Sequence, residues 1–284
     1  MEKAKKEIEK TKKEIEKRKE IIKNKFLNWL KNPYDKIFFI ILIIAFVIRL
    51  WIFFKAMNQP LWYDEANFLA TAKTWAFNLD VNNIWYFRRG FFWVLFSAFF
   101  FKIGLGELAI KFMVVLFSTG IVLISYLLIS EMFNKKYALL TSIGVAFSWV
   151  FLFFTGRPMT EIPATFFILL SMLFFWKGYV LEKGKKFIYL FGFFYAIAAL
   201  IRMQYLMFAL PFFIFIFTKE KFRFLKNKTL WIAFLIFFIM LLPFFILYSM
   251  NYGFFIKDIL NYYLGIGGAG KVASSASTKT FFDL

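Results

Sequence analysis

Residues 37–54 read IFFIILIIAFVIRLWIFF, an apolar run long enough to cross the hydrocarbon core of a bilayer as a helix. Seven further apolar runs follow it, at about residues 91–105, 107–130, 138–154, 163–181, 187–201, 205–217 and 229–249. The chain is 61% hydrophobic and has 46 Phe among its 284 residues, which is more apolar surface than one soluble core buries. The sequence therefore predicts an all-α fold, a polytopic transmembrane helix bundle.

The segment before the first run, residues 1–36, is charged and predicts a cytoplasmic N-terminal helix. Its repeating apolar position, at Ile8, Ile15 and Ile22, is too sparse for a strong coiled coil, so we expect a solvated helix or one lying on the headgroups. Basic clusters beside apolar runs mark the cytoplasmic side and attract anionic lipid headgroups, which are expected partners of this helix. The net charge of +19 does not indicate a nucleic-acid partner, because no nucleic-acid-binding motif accompanies it.

Counting the basic loops decides which of the later runs cross the membrane. If residues 91–105 crossed, the lysines at 135–136 would lie outside, against the positive-inside rule. That run is also short for a span, so we expect it to lie along the outer interface. By the same count, residues 187–201 and 205–217 form two short antiparallel spans that turn near residues 202–204.

These choices give seven spans in a transmembrane domain of residues 37–249. Its outer face carries a long loop, residues 55–106, and a second loop, residues 155–163. Residues 250–284 are expected to be a flexible segment on the same side. The chain is thus predicted to be a multi-pass protein of the cell membrane with its N-terminus in the cytoplasm and its outer loops on the other face.

Histidine and cysteine are both absent. Acid–base chemistry near neutral pH then falls to carboxylates, and a metal ion would have oxygen ligands, which favours Mg²⁺ or Mn²⁺ over Zn²⁺. Charged side chains at membrane depth are costly and usually face a cavity or one another. In the predicted topology the scarce ones converge on the outer face, namely Asp64, Glu65, Arg88, Arg89, Arg157, Glu161 and Arg202.

Two of these acids also have a purely structural interpretation. Asp64 stands at the start of an apolar-faced stretch, where it would cap an interfacial helix. Glu161 would favour the first turn of the helix that follows it. The functional interpretation explains both acids together and the side of the membrane that they share.

The order of these motifs resembles the polytopic glycosyltransferases of the GT-C type, in the branch of the protein O-mannosyltransferases and the lipid A aminoarabinose transferase. The resemblance covers about residues 37–217 and rests on PLWYDEA at 60–66, RRGFFW at 88–93 with the segment that follows it through Gly104 and Lys111, RPMTE at 157–161 and ALIR at 199–202. Each motif is weak alone, and their order and spacing carry the specificity.

The resemblance implies transfer of a sugar from a polyprenyl-phosphate donor to an acceptor at the outer face, with inversion at the anomeric carbon. It implies that Asp64 is the general base, and that Glu65 and Glu161 orient it or help to hold a divalent cation. The metal ligands would be Asp64 and Glu161, and the ion Mg²⁺ or Mn²⁺. The donor phosphate would be held through charge-assisted hydrogen bonds by basic residues of the outer face, namely Arg88, Arg89, Arg202 and Arg157.

The sequence departs from the family pattern where Gly90 and Phe91 replace the proline after the basic residue, and where the chain stops at Leu284 without further spans. A non-catalytic or truncated relative is therefore the first alternative. A transporter or flippase of an anionic or lipid-linked substrate is the second, since outer arginines also suit anion capture, although no inverted repeat is visible. A structural or tethering membrane protein is the third.

Overall fold

A computed structural model describes residues 31–79 and 90–252, together with scattered positions before residue 31. Helices account for nearly all of these residues, and no strand occurs among them. The predicted all-α, membrane-type fold is therefore confirmed. Most of the predicted N-terminal helix and the C-terminal segment from residue 253 onward lie outside the described residues.

The α-helices of the described part follow one another with short connections. In chain order they are α1 (Pro33–Ala56), α2 (Tyr63–Phe77), α3 (Phe91–Lys102), α4 (Gly106–Met132), α5 (Lys135–Phe147), α6 (Trp149–Phe154), α7 (Glu161–Phe175), α8 (Lys185–Ile201), α9 (Ala209–Glu220) and α10 (Lys228–Tyr252). A π-helical turn, Trp176–Val180, extends α7, and 3-10 segments, Met203–Phe208 and Lys221–Lys226, flank α9.

Four segments of the described part are long and apolar enough to cross a membrane: α1, α4, α7 with its π-helical extension, and α10. The other predicted spans are shorter. Helix α5 has 13 residues and is separated from α6 at Ser148, α8 has 17 residues and α9 has 12. The count of seven spans therefore stays a prediction. Helix α3, with 12 residues, is about 18 Å long at ~1.5 Å per residue, less than the hydrocarbon core.

The chain reverses direction after α8, at the position that the sequence predicted. Arg202 is extended, and beyond it the carbonyl of Tyr205 lies 3.1 Å from the hydroxyl of Tyr195, back along α8. At the far end of α9, Lys219 Nζ donates to the carbonyl of Tyr179 at 3.0 Å. Since Tyr179 precedes α8 in the chain, α9 ends where α8 begins, and the two helices are antiparallel.

Helix α4 lies at the centre of the bundle. It packs against α1 and α5 on one side and against α7 on the other, and α8 and α10 follow beyond α7. The α2–α3 pair covers one end, where Phe68 and Trp93 share a buried apolar cluster with Ile110, Ile162 and Ile201. Since these isoleucines lie at the ends of α4, α7 and α8, the cluster fixes the α2–α3 pair over them. We call this end the predicted outer end.

The opposite end, the predicted inner end, is held by ion pairs. The buried carboxylate of Asp35 accepts a hydrogen bond from the Tyr126 hydroxyl at 2.5 Å and pairs with Lys135 Nζ at 2.5 Å. Glu131 pairs with Lys183 at 2.7 Å. Both lysines belong to the loops that the charge count predicts to be cytoplasmic, and this end is therefore called the predicted inner end.

Thiol labelling is expected to place the two ends on opposite sides of the membrane. A cysteine introduced at exposed Gln59 should react with an impermeant maleimide added outside intact cells, whereas one at exposed Lys136 should react only after permeabilisation. The native chain has no cysteine, so each variant carries a single thiol. Labelling of the Lys136 variant from outside would mean that residues 91–105 cross the membrane.

Candidate functional site

Glu65 is the buried acid of the predicted outer end, at 2% exposure. Its Oε2 accepts a hydrogen bond from the backbone N–H of Trp62 at 2.8 Å, and its Oε1 pairs with Arg157 Nη1 at 3.2 Å. The N-cap residue of α2 is Trp62, and Glu65 closes the first turn back onto it. The alternative in which Asp64 is the cap is therefore wrong, because Asp64 lies inside that first turn.

Arg157 is held by an ion pair and by aromatic faces. Besides its bond to Glu65, its guanidinium lies 3.7 Å from the ring centroid of Trp62 and 5.4 Å from that of Phe153. Its side chain is only 15% exposed. A cation stacked on aromatic faces and paired with a buried carboxylate is already well satisfied. Arg157 thus joins the second outer loop to the start of α2.

A second ion pair, between Glu161 and Arg202, lies at the same end and is open to solvent. Arg202 Nη1 lies 2.5 Å from Glu161 Oε1, and the side chains are 30% and 29% exposed. The other carboxylate oxygen of Glu161 is buried and has no hydrogen-bond donor among the described residues. Because Arg202 is extended just beyond the last residue of α8, its side chain stands at the end of that helix.

Gly90 joins these segments at the start of α3. Its φ of +67° favours glycine, and a Cβ there would lie 2.9 Å from Thr160 Cγ2 and 3.5 Å from the carbonyl oxygen of Ile201. Nearby, Trp93 Nε1 donates to the carbonyl of Pro158 at 3.0 Å. The beginning of α3 therefore touches both the loop that carries Arg157 and the end of α8.

The structure brings four of the predicted site residues together: Glu65, Arg157, Glu161 and Arg202 stand on segments that touch one another. Asp64 is half-buried in the first turn of α2, next to Glu65. Arg88 and Arg89 lie outside the described residues, although the glycine that follows them is described. The roles of all seven in catalysis and donor binding stay predictions.

A metal site is not evident as a cluster of ligands. Over residues 31–79 and 90–252, no group of three or more acids is placed to hold a metal ion. Mg²⁺ is commonly held by one or two carboxylates together with phosphate oxygens of a substrate. The prediction that Asp64 and Glu161 hold Mg²⁺ or Mn²⁺ therefore stays open, and no step below runs through a metal.

Sequence reasoning assigned no role to the polar groups beneath this end of the bundle. Arg49 is fully buried in α1, and Lys111 in α4 is 3% exposed, paired with Glu107 at 2.8 Å and donating to the Met57 carbonyl at 3.1 Å. The sequence signal for Arg49 was its position as the one charge inside the apolar run of residues 37–54. A charged side chain within a spanning segment is costly, which indicates a structural or functional role.

Comparison with known proteins finds a family model that matches this sequence. Residues 89–247 match the family model described as dolichyl-phosphate-mannose-protein mannosyltransferase, which is more than half of the chain. The matched region contains Arg157, Glu161 and Arg202, whereas Asp64 and Glu65 precede it. No curated protein and no solved structure gives a significant match.

Proposed function

The chain belongs to the dolichyl-phosphate-mannose-protein mannosyltransferase family, and on that premise we propose that it transfers a sugar from a polyprenyl-phosphate donor to an acceptor at the outer face of the membrane. Family membership and the spanning helices make it a multi-pass membrane protein of the GT-C glycosyltransferase type. The observation that carries the finer proposal is the solvent-accessible Glu161–Arg202 ion pair beside the start of α3.

Arg202 is the described residue best suited to the donor phosphate. Its guanidinium is 30% exposed and is held in place by Glu161, whereas Arg157 is more deeply buried and already satisfied by Glu65 and Trp62. A phosphate leaving group gains negative charge as the bond to the sugar breaks. A fixed cation therefore stabilises the transition state more than the ground state. Arg88 and Arg89 are proposed to share this role.

Asp64 is proposed as the general base. In a chain without histidine or cysteine a carboxylate is the group best suited to this role near neutral pH, and both carboxylate oxygens of the neighbouring Glu65 are engaged in the fold. Asp64 takes the hydroxyl proton of the acceptor while the acceptor oxygen bonds to the anomeric carbon. The bond from that carbon to the phosphate oxygen breaks, and polyprenyl phosphate leaves with the bonding electrons.

Two partners follow from the proposal. One is the lipid-linked sugar donor, which enters from the bilayer. The other is the anionic headgroup layer, which the basic segment of residues 1–36, predicted from its sequence to be helical, is proposed to contact.

The direct test is release of polyprenyl phosphate by the purified chain in proteoliposomes. A panel of polyprenyl-phosphate-linked hexoses and pentoses is supplied with a mixture of hydroxyl acceptors, and the released lipid phosphate is quantified. Release that requires both donor and acceptor is expected. Failure to release polyprenyl phosphate from any donor, by protein that retains its helical content, would favour the non-catalytic alternative.

A further inference from the structure

Arg49 is a charged residue that the proposed function does not use. It lies in α1 and its side chain is fully buried, with 0% exposure. A charge at membrane depth is costly and persists where its neighbours satisfy it. Its hydrogen-bond partners within the described part of the chain are all neutral, three backbone carbonyls and one hydroxyl.

The guanidinium of Arg49 binds the end of α5. Nη1 donates to the carbonyl of Ala146 at 3.1 Å, and Nη2 to that of Val145 at 3.4 Å. Because α5 ends at Phe147 and Ser148 separates it from α6, these carbonyls lack the partners that a continuous helix would supply. A cation at a helix C-terminus also interacts favourably with the helix dipole. Arg49 therefore stabilises the break between α5 and α6.

A chain of hydrogen bonds leads from Arg49 to the site. Its Nε donates to Ser118 Oγ of α4 at 2.8 Å, and the Ser118 and Thr155 hydroxyl oxygens lie 2.9 Å apart. Thr155 also donates to the carbonyl of Phe151 in α6 at 2.6 Å. Thr155 is the residue at which α6 gives way to the loop carrying Arg157.

Gly156 places the same loop directly on α1. Its φ is +81°, and a Cβ there would lie 3.5 Å from the Cα of Phe53. Phe53 is one helical turn beyond Arg49. The loop is therefore attached to α1 at two levels, through the hydrogen-bond chain and through backbone contact.

We propose that Arg49 is a positioning residue for the outer site. Acting through Ser118 and Thr155, it fixes the start of the loop that presents Arg157 and Glu161. Its effect on sugar transfer rests on the proposed function, but its effect on the loop does not. The two are therefore tested by separate measurements.

The loop is tested by the reactivity of a single thiol. Met159 is 9% exposed, so a cysteine introduced there is expected to react slowly with a maleimide. Adding Ser118→Ala or Thr155→Val should raise that reaction rate at least tenfold, whereas Thr155→Ser, which keeps the hydroxyl, should leave it unchanged. The matched control is Ser125→Ala, which removes a buried hydroxyl two turns further along α4. Ser125 is not part of the chain of hydrogen bonds that joins Arg49, Ser118 and Thr155.

Arg49→Gln should raise the reaction rate of the thiol in the same way if the protein folds. If it does not fold, the Ser118→Ala and Thr155→Val proteins test the proposal in its place. Equal thiol protection in the Ser118→Ala, Thr155→Val and Ser125→Ala proteins would overturn the proposal.

Activity then separates positioning from mere stability. In a chain whose wild type is active, Ser118→Ala and Thr155→Val are each expected to lower kcat about tenfold with less than a threefold change in the KM for the donor. Thr155→Ser, which keeps the hydroxyl, is expected to retain the wild-type kcat. Loss of thiol protection with unchanged kcat would refute a positioning role. A wild-type chain without transfer activity counts against the proposed function, and the thiol measurement still decides whether Arg49 holds the loop.

Discussion

Asp64→Asn is expected to lower the rate of sugar transfer by about 10²–10⁴-fold, the usual contribution of a general base. The amide has nearly the same size as the carboxylate and stays compatible with the first turn of α2, but it cannot take the acceptor proton. The KM for the donor should change little, because the base does not touch the donor phosphate. Initial rates of polyprenyl phosphate release, per amount of folded protein, measure the effect.

Glu65→Gln is the matched comparison, since it makes the same chemical change one residue later. Gln keeps an oxygen for the Trp62 N–H but loses the charge that pairs with Arg157. We expect a loss of stability on the order of 2–3 kcal/mol, seen as a lower Tm, with a smaller loss of turnover in the folded fraction. An Asp64→Asn protein that transfers at the wild-type rate would exclude Asp64 as the base and turn attention to Glu161.

Arg202→Gln is expected to weaken the donor interaction and slow the reaction together. We expect a loss of about 10²–10³-fold in kcat, the cost of removing one fixed hydrogen-bond donor at a developing negative charge, and the KM for the donor should rise as well. Arg202→Lys should retain part of the donor affinity and part of the turnover, because the lysine ammonium supplies the positive charge but not the planar, bidentate donors of the guanidinium. Steady-state kinetics across donor concentrations distinguish the two parameters.

The control for this change is Arg223→Gln. Arg223 is exposed in the 3-10 segment at the predicted inner end, so the same charge is removed far from Glu161. Transfer by this variant should match the wild type. If Arg202→Gln behaves like Arg223→Gln, the donor phosphate is held elsewhere, and Arg88 and Arg89 become the residues to test.

Hydropathy and the positions of lysine predicted much of the architecture because both are local properties of the sequence and need no knowledge of tertiary contacts. They indicated the spanning character of α1, α4, α7 and α10, and the reversal near Arg202. The motif order predicted the family. Break positions inside apolar runs were not visible, so the division of residues 138–154 at Ser148 was missed.

Pairing between distant segments was beyond a single sequence. Of the charged residues predicted to share the outer face, Glu65, Arg157, Glu161 and Arg202 do lie at one end of the bundle, but which carboxylate meets which guanidinium depends on packing. Glu65 pairs with Arg157 and closes the start of α2 because Trp62 and Phe153 bring the loop to that helix. Apart from the Ala45 carbonyl one turn earlier in α1, the partners of Arg49 lie on α4 and α5, and no local pattern in residues 37–54 identifies them.

The length of α8 has a consequence for the lipid around the protein. At ~1.5 Å per residue its 17 residues are about 25 Å long, against a hydrocarbon core of about 30 Å. If α8 spans the membrane, as the sequence predicts, such a hydrophobic mismatch would be relieved by local thinning of the bilayer or by snorkelling of flanking residues, at a cost of fractions of a kcal/mol per Å. A membrane dimpled beside α8 would bring the headgroup plane down toward Arg202, shortening the distance that a lipid-borne phosphate travels from the leaflet to the guanidinium.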